Sequence, residues 1–149
     1  MSPRQAVDAV TADIRAHHIT VDGTGLFNAT RHIGLLCQLA ARMAADAEYQ
    51  LSDVPLAKNL GASSGHLGRA IAHYTQALSP LITLTTTVQP TLKQKFDSLD
   101  LHRHLRIHLD SAGRALTSAS DALDIPRPLP APSGPGPAPL CPPAIRRHP

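Results

Sequence analysis

The segment Leu101-His102-Arg103-His104-Leu105-Arg106-Ile107-His108-Leu109-Asp110-Ser111-Ala112-Gly113-Arg114-Ala115-Leu116-Thr117-Ser118-Ala119-Ser120-Asp121-Ala122-Leu123 decides the fold class. Leu101, Leu105, Leu109, Ala112, Leu116, Ala119 and Leu123 recur every three or four residues, the spacing of one face of an α-helix. The rhythm is close to a heptad, which suits packing against other helices. The spacing predicts a helix over 98–124. Ile125-Pro126 ends it, because a residue before proline disfavours helical backbone.

Upstream segments carry the same signal. Ala29, Ile33, Leu36, Ala40, Met43, Ala47 and Leu51 predict a long helix over 25–51, with Leu35 and Leu39 widening its apolar side. A wide apolar side implies more than one neighbour, so this helix is predicted to be central. Cys37, between Leu36 and Gln38, reads as a small buried apolar group. Ser2-Pro3-Arg4-Gln5 offers a cap, a first-turn proline and a capping-box partner, and Val7, Val10 and Ile14 follow at helical spacing. Asp22-Gly23-Thr24-Gly25 breaks that first helix, with Thr24 a candidate cap for the next.

Between the two long helices, Ser52-Asp53 and Val54-Pro55 open a short helix to Leu60, and Gly61 to Gly65 loosens the chain. Leu67, Ile71, Tyr74 and Leu78 predict a further helix over 66–78, and Ser79-Pro80 offers another start. The stretch 81–88 is rich in β-branched residues and alternates as a strand would. A lone strand would leave its backbone groups unpaired, so helix is preferred, with a kink or break near Pro90.

The expected architecture is all-α: a four- to five-helix bundle over 1–125, followed by a disordered tail over 126–149. Ten of the 14 prolines lie in that tail. Proline there blocks helix and sheet and favours extended polyproline-II backbone.

Composition narrows function. Hydrophobic residues make up 42% of the 149-residue chain and aromatic residues only 3%, so the core must be Leu, Ile, Val and Ala. Scarce aromatics count against stacking-based binding of single-stranded nucleic acid. Two cysteines do not make a disulfide scaffold. No run of about 20 apolar residues is present to span a membrane. No hydrophobic signal segment follows Met1-Ser2-Pro3-Arg4, and a cytoplasmic location is expected.

The formal charge is +3, yet residues 1–125 hold 11 basic and 11 acidic side chains, and the excess sits in Arg127, Arg146 and Arg147. Residues 54–96 carry Lys58, Arg69, Lys93 and Lys95 and no acid, a possible nucleic-acid contact in an accessory protein. In a helix-turn-helix over 54–78, the recognition helix, about 66–78, would carry only Arg69 as a cation. Asp97, His104 and His108 share one flank of the leucine face and could ligate a divalent ion, although no HExxH or Glu-x-x-His pattern accompanies them. Ser63-Ser64-Gly65-His66 lacks the strand-turn-helix context of a nucleophile elbow, and Gly61, Gly65 and Gly68 match no phosphate-binding loop.

The sequence therefore points to a non-enzymatic interaction or assembly protein needing no cofactor. It would act through Leu101, Leu105, Leu109, Leu116 and Leu123 against itself or another helical protein. DNA association through Lys58, Arg69, Lys93 and Lys95 is the first alternative. Metal binding through Asp97, His104 and His108 is the second.

Overall fold

A computed structural model describes residues 1–87 and 91–124, together with Gly134 and Gly136. Among the described residues the chain is all-helical, with four helices and no strand. The predicted break near Pro90 and the predicted disordered tail fall outside the described residues.

Helix α1 spans Pro3–Ala16 and opens with the capping box its sequence suggests. The Gln5 amide donates to Ser2 Oγ at 3.2 Å, and the Ser2 amide donates to Gln5 Oε1 at 2.9 Å. Helix α2 spans Gly23–Tyr49. Its cap is Asp22 rather than Thr24: the carboxylate accepts the Gly25 amide at 2.7 Å and the Thr20 hydroxyl at 2.6 Å. Those two bonds hold the Asp22 carboxyl below the usual aspartate range. Gly25 is required here, since a Cβ at this position would collide with the Thr20 backbone.

Helix α3 spans Val54–Thr86, 33 residues without interruption. The predicted break at Gly61–Gly65 is absent, and so is the predicted new start at Ser79-Pro80. The reason lies in the buried side of the helix. Leu60, Ser63, Leu67, Ala70, Tyr74, Ala77 and Leu81 are all buried, stepping by three and four. Large side chains alternate with small ones, which lets neighbouring helices approach closely. Gly61, Gly65 and Gly68 lie on the exposed side, so tertiary packing overrides their weak helix propensity. Pro80 is buried inside the helix. The helix runs on past it to Thr86, where Thr83 and Thr86 hydroxyls donate to the carbonyls of Ser79 and Ile82 at 3.1 and 2.8 Å. The 81–86 segment is thus helical, as preferred. A helix-turn-helix over 54–78 is not formed.

Helix α4 spans Leu92–Asp121 and starts with a second capping box, Thr91 with Gln94. It runs antiparallel to α3: Ser63 meets Ala119, His73 meets His108, and Leu81 shares a cluster with Leu105. The most extensive packing is α3 on α4 and α3 on α2, with α1 attached more lightly to α2 and α4. The central helix is therefore α3, not α2. Around the last turn of α4, Arg4 pairs with Asp124, and the Ser120 hydroxyl donates to Asp8 Oδ1 at 2.7 Å. No helix among the described residues is long and apolar enough to cross a membrane.

Candidate functional site

The leucine face of α4 is placed inside the chain. Leu105 and Leu116 are buried, as are Ala112, Ala115 and Ala119 between and around them. Leu101, Leu109 and Leu123 are half-buried, and Leu109 and Leu123 pack against the core. The stripe expected to await a partner meets the chain's own helices instead.

A different row on α4 faces solvent. Leu92 is 73% exposed, Phe96 65%, Leu99 65% and Ile107 49%. At 3.6 residues per turn these four lie within about 80° of one another, on the side opposite Leu105, Ala112 and Leu116. The N-terminal half of α4 thus has two apolar faces, one satisfied and one open. The sequence signal for the second was present in the spacing of Leu92, Phe96 and Leu99. Leu81 and this row belong to different helices, α3 and α4. Leu81 is fully buried, whereas Leu92, Phe96 and Leu99 point outward.

The four candidate nucleic-acid cations do not gather. Lys58 lies in the second turn of α3, Arg69 in its middle, and Lys93 and Lys95 at the start of antiparallel α4. That places Lys58 and Lys93 roughly 40 Å apart along the bundle axis. Arg69 is hydrogen-bonded to the neighbouring His66 ring, Nη2 to Nδ1 at 2.6 Å.

The Asp97, His104 and His108 trio is also divided. Asp97 and His104 line a cleft of about 520 Å³ with Thr83, Leu84 and Leu101 at the α3–α4 hairpin end. His108 is not in that cleft. It faces α3, where its Nδ1 lies 3.4 Å from Nδ1 of His73. Burial lowers the His108 pKa, and the neighbouring His73 and His104 rings push in the same direction. Among the described residues no three His, Cys, Asp or Glu side chains form a group able to hold a metal ion. His73 is half-buried in mid-helix. Cys37, expected to be buried, is exposed on α2.

The hydroxyls of Ser63 and Ser64 have structural partners. Ser63 donates to the Ala119 carbonyl at 2.8 Å, and Ser64 to the Ala40 carbonyl at 3.1 Å. They are held between helices rather than presented as nucleophiles.

His32 is the most unusual polar residue of the core. It is 1% exposed. Its ring packs edge-on against Tyr74, with centroids 5.5 Å apart and planes at 72°. Burial lowers the His32 pKa and raises that of Tyr74. Nearby, Asp13 is held by Arg31 at 3.0 and 3.1 Å. No protein-family model, no curated protein and no solved structure matches this chain.

Proposed function

We propose that this chain is a non-enzymatic assembly protein that pairs with a second copy of itself through the outer face of α4. The observation that carries the reading is the open row Leu92, Phe96, Leu99 and Ile107, set opposite the face that closes the bundle. Isolated exposed apolar residues are ordinary on protein surfaces, but a row along one helix face is a docking signal.

The flanks of the row favour a copy of the same surface. Lys93, Lys95, Arg103 and Arg106 alternate with Asp97, Asp100 and Asp110 along the exposed part of α4. A two-fold interface brings a patch against itself, so a mixed and nearly neutral surface avoids like-charge repulsion. The same mixture is poorly suited to a phosphate backbone, which calls for cations of one sign. Burying Phe96 and its three neighbours in each copy supplies an aromatic anchor and an aliphatic surround.

Light scattering coupled to size exclusion tests the reading. A concentration-dependent dimer is expected, and Phe96→Glu with Leu99→Glu should yield a folded monomer with unchanged helical circular dichroism. A wild-type chain that stays monomeric at high concentration overturns it.

A further inference from the structure

Beneath the junction of α1 and α2 lies a cavity of about 350 Å³ to which all four helices contribute. This is at the small end of the range for ligand pockets, about 300–1,000 Å³. Of the residues that line it, Asp110 also borders the outer face of α4. Its walls are mainly apolar, with Ile14 and Ile19 on one side and Leu109 and Leu116 on the other. Into this apolar space the fold delivers two polar groups that the protein itself leaves unmatched. Neither ring nitrogen of His32 has a hydrogen-bond partner among the described residues, although the side chain is 1% exposed. The Thr11 hydroxyl, also buried, has none either. Native proteins pair nearly all such groups, so these two are matched by a partner from outside the chain, an ordered water or the polar group of a ligand that displaces it.

The chemistry of the lining restricts that partner. His32 sits in an environment that disfavours the imidazolium, and its neutral ring offers one donor and one acceptor. The Thr11 hydroxyl likewise donates and accepts. The inner end of the cavity is therefore suited to an uncharged group able to do both. Arg15 and Asp110 in the lining carry one fixed charge of each sign, and His17 and His18 line the cavity with them, so the fixed charges favour neither anions nor cations. Tyr74 stands edge-on to His32 and fixes the plane of its ring.

We propose that this cavity binds a small, uncharged, hydroxyl-bearing molecule with an apolar body, its hydroxyl paired with the His32 ring and Thr11. The apolar body lies between the Ile14/Ile19 and Leu109/Leu116 walls. Gly113 lines the same cavity, and a Cβ built there meets nothing within 4 Å. A large side chain at this exposed helical position would fill the cavity without disturbing the core.

Phenol is the direct probe, added to the full chain while the histidine ring resonances are followed by NMR. Saturable shifts of the His32 ring are expected. Toluene, which lacks the hydroxyl, should bind about tenfold more weakly, since the buried polar groups would remain unmatched. Benzoate and benzylammonium should both bind more weakly than phenol. Thr11→Val should weaken phenol binding several-fold, and Gly113→Phe should abolish it while helical circular dichroism is retained. The proposal is overturned by any of three results: no His32 shift at millimolar phenol, equal affinity for toluene and phenol, or undiminished phenol binding in folded Gly113→Phe.

Discussion

The hydroxyl of Ser63, fully buried on α3, donates to the carbonyl of Ala119 on α4 at 2.8 Å. Ala119 is in the last turn of its helix, where carbonyls have no following amide to accept from. The amides beyond it turn back to other acceptors: Ala122 to Ser118, Leu123 to Ser120 and Asp124 to Asp121. One side chain from the neighbouring helix thus satisfies a buried helix end. Ser63→Ala removes the donor and leaves the carbonyl unmatched, at an expected cost of about 1–3 kcal/mol. Ser63→Leu should cost more, because no space exists for the larger group. Urea unfolding of the three chains checks both.

Two glycines with opposite surroundings give a paired prediction. Gly25→Ala forces a methyl group into the Thr20 backbone and should destabilise by about 1–3 kcal/mol. Gly61 is exposed within α3 and has open space at its Cβ. Gly61→Ala should stabilise by about 0.5–1 kcal/mol through helix propensity alone. Thermal melts at one protein concentration separate the two signs.

The two apolar faces of α4 should respond differently to truncation. Leu105 and Leu116 are 5% and 3% exposed, and replacing either with Ala should cost about 2–5 kcal/mol. Phe96→Ala should change the stability of an isolated copy by no more than about 0.5 kcal/mol. Its effect should fall on self-association instead. Denaturant unfolding at low concentration and light scattering at high concentration distinguish these outcomes.

Stability should decline under mildly acidic conditions. His32, with Asp13, Arg31 and His17 around it, and His108, with His73 and His104, both have pKa values below the ordinary 6.5. The unfolded chain therefore takes up protons more readily than the folded one, and stability rises with pH. The contribution is fully present above about pH 6.5 and is lost as the pH falls from there through the folded-state values. The urea midpoint should be lower at pH 5 than at pH 8. His108→Gln should reduce that difference, and an unchanged pH dependence in this variant would assign the effect elsewhere.

The helical class of the fold was legible because the apolar spacing of α2 and α4 is strong. The continuity of α3 was harder to see. Its inward positions alternate Leu60, Leu67, Tyr74 and Leu81 with Ser63, Ala70 and Ala77, and a search for large apolar residues passes over the small ones. Without them, Gly61 and Gly65 read as a break, and the central place went to α2. Counting Ser and Ala as seam residues would have recovered both points. The fate of the α4 leucines depends on which helices meet, and a single helix's periodicity does not contain that information. Cys37 directly follows Leu35 and Leu36, yet its angular position turns it outward. The His32 cavity was out of reach for a related reason: it is formed where four helices converge.

The light attachment of α1 bears on how a molecule would enter that cavity. Thr11, Ile14 and Arg15 are the residues α1 contributes to its lining, while Ala6, Val7 and Ile14 provide the buried side chains of α1. A helix held by so little area should open as a unit well before α2, α3 and α4 separate. Amide hydrogens of 6–16 should then exchange with deuterium early and together, with those along the α3 seam last. An occupant that slows exchange across α1 would show that the same short helix serves as both lid and latch.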